Sequence, residues 1–528
     1  MRYSDAMILF ELVIALLLVG ALLALSADRL RIPYPALLAL AGAALALLPG
    51  TPQVTLDPQL ALALFVAPAL LDAAYDASPR DLKANLVPVV SLALAMVALT
   101  IAAVAFAARK VVPDMSWAVA IALGAIVAPS DASAATAVLR RLRPPHRILV
   151  ILEGESLFND ASALLVFRTA VAAAMTGAIS GWSVVPTFLL TCGGGVIAGI
   201  LLARTYMWLT ARVQDIAISV LLQFVGTFAV WILADRIGLS AILTVVSYAM
   251  TIARRVPARV DARHRISSYA VWEVAVFVLN VLAFVLIGLQ LRTILQRMPS
   301  SEWETYALCA GAVCLTVILV RIVWVMAHTA FVRWWAARHK GVSEVPTFRG
   351  SVVVAWCGMR GIVTLAAALA LPDGAPSEAF PWRDLVILCA FCVVLFTLVV
   401  QGMTIRPLLA WMKLKDDGSV EREVRIARAE TARVALQILE HEAHPSIDTL
   451  RREYEARLRS GDTQSPSLES GTVEAGLTQV QRRAVRAQRQ ALMDLRERSI
   501  IGDDAFHAAE EELDLIELTA DSRIRPAP

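Results

Sequence analysis

The chain is short of charge. Asp, Glu, Lys and Arg together make up 18% of its 528 residues, against about 25% in an ordinary soluble domain. Hydrophobic residues supply 58%, and mean hydropathy is +0.66. A soluble protein of this size could not hide that much apolar surface, so a soluble fold for the whole chain is excluded. With 6 Cys, 26 Gly and 24 Pro, disulfide-scaffold, collagenous and disordered classes are excluded too. The net charge of +3 is too small to argue for a nucleic-acid partner. Histidine is scarce: there are 7, none at mid-span (His328 lies near a span end), so a histidine proton relay has no support. No Gly-x-x-x-x-Gly-Lys stretch is present to cradle a nucleotide phosphate.

The six cysteines, Cys192, Cys309, Cys314, Cys357, Cys389 and Cys392, all lie in apolar runs. Cys389-x-x-Cys392 has redox spacing, but a thiolate is disfavoured inside hydrocarbon, and the cysteines read as packing residues. The first apolar run, from Met7, carries Glu11 and is followed by no small-residue cleavage site. It reads as a span and not as a signal peptide.

What is present is a series of long apolar runs. A membrane helix needs roughly 20 mostly apolar residues, and charged or Pro/Gly clusters divide the chain into thirteen such candidates. Alternate loops differ in basic charge. One set, which includes Arg140/Arg141/Arg143/Arg147 and Arg254/Arg255/Arg259/Arg263/Arg265, holds nineteen Lys/Arg, and the other set holds six. Basic loops stay in the cytoplasm, so the N-terminus is expected outside and the C-terminus inside. The remaining charge collects at the end of the chain. Residues 412–528 hold 18 Lys/Arg and 23 Asp/Glu. Two parts are therefore expected: a transmembrane domain over 1–411 and a cytoplasmic helical tail over 412–528. Apolar residues recur at helical spacing in 420–443, 477–499 and 504–519, and a Ser/Gly/Thr-rich stretch at 460–473 interrupts them. The tail reads as a solvated helical hairpin whose net acidity disfavours nucleic acid.

A charge inside a span costs about 2.5–3.5 kcal/mol on insertion scales, so each needs a partner or a water-filled cavity. The few present are concentrated. Asp131 sits in Ala128-Pro129-Ser130-Asp131 within the span at 116–139, where the proline favours a break. The next span, 149–175, carries Glu153-Gly154-Glu155-Ser156-Leu157-Phe158-Asn159-Asp160. Glu155 and Asn159 are four apart, as are Ser156 and Asp160, so all four share one helix face. That face offers hard oxygen ligands for a small cation and a titratable carboxylate. Basic residues appear later: Arg321, and Arg360 inside Gly358-Met359-Arg360-Gly361, where the flanking glycines permit an unwound turn in the span at 350–371.

Two spans are thus interrupted, at corresponding places in the two halves of the chain. Paired broken helices of this kind point to a transporter site at an inverted-repeat interface. The plainer reading of Glu155, Arg321 and Arg360 is buried ion pairing that holds helices together. It fits Asp160 less well, which has no basic neighbour in sequence. Glu273 and Asn280, two turns apart, read as packing polars, and Asp72 closes a span. Gly154-Glu155-Ser156-Leu157-Phe158 starts like a nucleophile elbow, but Phe158 stands where that motif needs glycine.

These motifs resemble the fingerprints of the monovalent cation:proton antiporters of the sodium/proton exchanger type. Gly154 through Asp160 is similar to that family's central signature. Ala128-Pro129-Ser130-Asp131 resembles its Pro-Thr-Asp turn, and Trp356-Cys357-Gly358-Met359-Arg360-Gly361 its Trp-Gly-Gly-Met-Arg-Gly turn. Trp272-Glu273 through Asn280, Phe284 and Gly288-Leu289-Gln290 also fits, and the likeness covers roughly residues 5–412. Ser130 replaces the usual Thr and keeps the hydroxyl; Ala132 replaces a usual Pro; Asp72 stands where many members have Glu.

The resemblance implies an all-α polytopic membrane protein. It would have about thirteen helices with inverted repeats, two crossing broken helices, a dimerisation region and a mobile core. It implies Asp160 as the carboxylate that carries ion and proton, with Asp131, Ser130 and Ser156 in the cation site and Asn159 steadying it. Glu155 would pair with Arg321, and Asp131 and Arg360 would offset the half-helix dipoles, facing each other at the crossing. The expected protein is not an enzyme and needs no cofactor. It is a plasma-membrane carrier in contact with lipid, a homodimer, exchanging sodium for protons one for one. Potassium/proton exchange by the same machinery is the nearest alternative. A membrane sensor signalling through the tail and an ion channel are the rivals from other classes.

Overall fold

The computed structural model describes residues 3–30, 32–48, 58–142, 144–177, 181–213, 215–256, 260–297, 302–339, 345–373, 379–414, 416–440, 447–460 and 475–522. The 461–474 stretch and Arg31, Arg143, Arg259 and Lys340 of the basic loops lie outside the described residues. Among those described, regular structure is entirely helical.

The chain opens with α1 (Tyr3–Leu30) and α2 (Tyr34–Leu47). Then come α3 (Gln59–Asp76), α4 (Pro79–Ala84) and α5 (Leu86–Val111). The first broken span is α6 (Trp117–Val127) followed by α7 (Ala132–Leu142). Long helices follow: α8 (His146–Thr176), α9 (Gly181–Thr210), α10 (Ile216–Arg236), α11 (Ala241–Arg255), α12 (Ala262–Arg297) and α13 (Trp303–Arg338). The second broken span is α14 (Phe348–Trp356) followed by α15 (Ile362–Leu369). A final long helix, α16 (Arg383–Met412), leads into the tail helices α17 (Ser419–Glu440), α18 (Ile447–Ser460), α19 (Ala475–Glu497) and α20 (Asp503–Ser522).

Among the described residues, nine helices are long and apolar enough to cross a membrane, and Val13–Ala27 and Tyr34–Leu47 form shorter apolar helices. The boundaries have local causes. Ser116 and Thr347 cap the two broken spans at their starts, accepting from the amides of Val119 at 3.3 Å and Gly350 at 3.2 Å. Gly177, with φ of 72°, ends α8 in the left-handed conformation that favours glycine.

Packing sorts the membrane helices into two groups. The first contains α1, α2, α3, α9, α10, α11 and α12. The second contains α4 to α8 and α13 to α16. In the first group α2 and α12 touch backbone to backbone, because any side chain on Gly42 or Gly288 would strike the facing main chain. The second group holds both broken spans and the helix that carries Glu155 to Asp160.

The tail corrects the expectation of a solvated hairpin. It contains a helix that periodicity missed, α18. Its four helices pack through two apolar clusters of their own, one around Leu492, Ile501 and Phe506 and the other around Leu439, Leu450 and Tyr454. The bundle is also seated against the membrane helices, burying Arg265 of α12 with Asp514 of α20.

Candidate functional site

The site forms where the two broken spans cross. Pro129 supplies no backbone donor, and residues 128–131 leave the helix. Residues 357–361 do the same in the second span. The breaks are tied directly, the Asp131 amide donating to the Met359 carbonyl at 2.8 Å.

Each break leaves helix ends with unsatisfied groups and partial charge. Asp131 Oδ1 accepts from the Ser133 amide at 2.9 Å and its hydroxyl at 2.6 Å, which caps α7. Asp131 Oδ2 lies over the α-carbon of Gly361, the N-cap of α15. One carboxylate therefore serves two positive helix ends. The negative ends are met by arginines. Arg360, fully buried, donates to the Val127 carbonyl at 3.0 Å and to Ala128 at 3.3 Å, at the end of α6. Arg321 donates to the Val354 carbonyl at 3.1 Å, in the last turn of α14. This corrects the expected facing of Asp131 and Arg360. No ion pair joins them among the described residues. Each turns to its own helix end, because a full charge gains most beside the partial charge of opposite sign.

The glycines also have a different role from the one their sequence context suggests. Neither Gly358 nor Gly361 has positive φ. They are needed for space: a Cβ on Gly358 would overlap the Arg321 side chain, and one on Gly361 would overlap the Asp131 carboxylate. Gly361→Ala is expected to insert normally yet lower exchange on the order of 10- to 100-fold, the scale set by misplacing a working group by about 1 Å. Gly311→Ala is the control, since its Cβ would meet nothing. Equal transport rates for the two variants in vesicles would refute the close-approach argument.

Behind the crossing lies a buried polar network. Glu155 accepts from both terminal nitrogens of Arg321, one at 2.8 Å, and both residues are almost wholly inaccessible. The Ser130 hydroxyl donates to Glu155 at 2.5 Å. Asn159 Nδ2 donates to the Ser130 carbonyl at 3.1 Å and hydroxyl at 3.0 Å. This orients Asn159 Oδ1, a buried acceptor that finds no partner among the described residues. Ser156 Oγ accepts from the Ala132 amide at 3.3 Å. Asp160, 6% exposed, has no hydrogen bond or ion pair among the described residues. Together these groups present one unpaired carboxylate, one orphaned amide oxygen and two hydroxyls, all hard oxygen ligands suited to a monovalent cation.

Asp131, Ser156 and Asp160 open onto a cavity of about 2240 Å³ that continues past Tyr34 and Asp72 to the tail. Glu273 and Asn280 also line it, so their faces point to the pathway and not solely into helix packing. Two contributors escaped sequence reading. Thr397 accepts from the Arg360 amide at 3.0 Å from within a π-turn in α16, a distortion that often marks functional sites. Ser133, two residues after Asp131, carries the signal of an Asx turn.

Crossed broken helices around an isolated intramembrane carboxylate define a secondary carrier and not an enzyme. The comparisons with known proteins agree. Residues 13–411 match the family described as "Sodium/hydrogen exchanger, transmembrane", and the chain belongs to that family. A relative described as an uncharacterised Na+/H+ exchanger of Mycobacterium tuberculosis is 30% identical over 97% of this chain and 96% of its own. A sodium, potassium, lithium and rubidium/H+ antiporter of Bacillus pumilus is 32% identical over 81% of this chain and 66% of its own. The fold is similar to that of the sodium proton antiporter MjNhaP1 of Methanocaldococcus jannaschii. The TM-score is 0.59 at 19% identity, covering 75% of this chain and 99% of that one.

Proposed function

We propose that this protein is a plasma-membrane antiporter that exchanges sodium for protons, one for one, and serves pH and sodium homeostasis. The observation that carries the reading is Asp160: a buried carboxylate without a partner among the described residues, in the lining of a large cavity. Proton and cation compete for that carboxylate, and the competition is the exchange. Asp131, Ser130, Ser156 and Asn159 complete the cation site, and Asp131 with Arg360 fixes the half-helix ends. Glu155 with Arg321 holds the core together. The carrier works by alternating access as a homodimer of thirteen-span subunits with inverted repeats. Its N-terminus is outside and the tail, residues 412–528, is cytoplasmic, so the cavity is the inward-facing pathway.

Potassium remains the second reading, because the Bacillus relative is named for several alkali cations. Vesicles reconstituted with the protein and given a pH gradient decide between them. Collapse on adding sodium but not potassium supports sodium/proton exchange, and collapse with neither ion refutes antiport.

The stoichiometry is a further expected outcome. Asp160 stands next to the neutral Asn159, so one proton leaves as one monovalent cation binds. Asp131 is committed to two positive helix ends. Exchange should therefore carry no net charge. An imposed potential of about 100 mV, worth about 2.3 kcal/mol per charge moved, should leave the equilibrium sodium distribution unchanged. A shift would mean that Asp131 also gives up a proton in each cycle.

A further inference from the structure

α13 is longer than the bilayer is thick. Its 36 residues run about 54 Å, against a hydrocarbon core of about 30 Å. One face is apolar and exposed at Leu308, Leu315, Leu319 and Val323. Steps of seven and four residues keep these on one side, the side turned to lipid. The stripe ends in exposed aromatic rings: Trp334, with Phe331 and Trp335 stacked beside it. Phe331 lies about 35 Å along the helix from Leu308. The rings therefore fall where hydrocarbon gives way to headgroups, the level at which tryptophan concentrates.

Basic side chains stand on these rings. The Arg338 guanidinium lies 4.1 Å over Trp334, and that of Arg333 lies 5.0 Å over Phe348 at the start of α14. His339 stacks on Trp335 at 4.0 Å, and Arg349 follows Phe348 in the chain. All are exposed, and none of the three arginines has a carboxylate partner among the described residues. Arg80, Arg140 and Arg265, by contrast, each meet an acid of the protein. The two helix ends are tied in place. Arg333 donates to the Pro346 carbonyl at 3.2 Å, and the Thr329 hydroxyl donates to Ser351 at 2.7 Å.

We propose that the end of α13 and the start of α14 form a binding site for one anionic phospholipid of the cytoplasmic leaflet. Three arginines without an acid of their own call for one from outside the chain. Guanidinium forks match the oxygens of a phosphodiester. Packing against the rings holds Arg333 and Arg338 by their faces and leaves their N–H edges free for the headgroup. Trp334 and Trp335 then meet the glycerol and the first methylenes, since each is apolar in its body and polar at its tip. A free anion would use the arginines and not the rings. A protein partner is disfavoured because the aromatic patch continues the face that α13 turns to lipid. The site lies on the second helix group, on the helix that carries Arg321 and the one that leads into the break at 357–361.

Only the orientation of the chain is taken here from the antiporter reading. The test uses the full chain in neutral detergent, titrated with phosphatidylglycerol or phosphatidylcholine of the same acyl chains. Bound lipid is counted by native mass spectrometry. The unaltered protein should hold one phosphatidylglycerol more tightly than any phosphatidylcholine. Arg333→Gln with Arg338→Gln should weaken that binding about 10- to 30-fold, the product of two surface charges. Trp334→Ala with Trp335→Ala keeps the charges and should weaken it as well. Arg254→Gln with Arg255→Gln removes the same charge from the exposed end of α11 and should leave it unchanged. Equal losses from the two arginine pairs would mean general surface charge and overturn the site, as would equal retention of the two lipids. Displacement by millimolar inorganic phosphate, or indifference to loss of the tryptophans, would overturn a lipid as the occupant. None of these readouts involves sodium or a pH gradient. Absence of exchange in vesicles would therefore defeat the antiporter reading and leave the lipid site standing.

Discussion

Asp160→Asn is expected to abolish cation-dependent proton movement altogether while leaving insertion and folding intact. The substitution preserves shape and removes the charge. Asp160 has no hydrogen bond or ion pair to lose among the described residues, so the fold should not register the change. What disappears is the site at which a proton and a cation exclude one another. Asn159 Oδ1 and the Ser156 hydroxyl remain as neutral ligands, but a neutral site cannot offset the cost of taking an alkali cation out of water. The measurement is fluorescence recovery of a pH probe in vesicles when sodium is added, with a melting curve on the same preparation. Residual sodium-dependent recovery above that of empty vesicles would move the ion-carrying role away from Asp160.

The second large effect falls on stability. Glu155→Ala is expected to destabilise the protein by about 3–5 kcal/mol, the cost of leaving a buried ion pair with one partner. Two groups lose their acceptor at once. Arg321 keeps its bonds to the Val354 carbonyl and a weak one to the Met96 sulfur, and the Ser130 hydroxyl, which donates to Glu155, is freed. Asn159, oriented by Ser130, then loses its fixed position. The melting temperature in detergent should fall well below that of Asp160→Asn. The opposite order would show that Glu155 serves as an ion ligand and not as a structural partner. Transport by Glu155→Ala should also drop, since Ser130, which lines the cavity, is held by its bond to Glu155.

The two substitutions lie on one helix, five residues apart, and their effects should separate cleanly. Glu155 turns into the core against Arg321 and is inaccessible, whereas Asp160 meets the cavity. The helix period sets them about 140° apart round the helix, and the surroundings then give two carboxylates opposite duties, one structural and one chemical.

Much of this was legible in the chain itself. The excess of apolar residues and its division into runs dictated membrane helices, because only internally satisfied backbone tolerates hydrocarbon. The four-residue spacings paired Glu155 with Asn159 and Ser156 with Asp160, and Pro129 located a break. These features are local and follow from backbone geometry. Partner choice did not follow from it. Asp131 and Arg360 carry opposite charges at the two breaks, yet each serves a different helix end, and that depends on which termini the crossing brings together. The glycines beside Arg360 are spacers for side chains more than 30 residues away in sequence, Arg321 and Asp131. The contact of α20 with both helix groups joins residues separated by more than 200 positions. Helical periodicity carries no information over such distances, so only the packed tertiary structure decided which buried charge meets which.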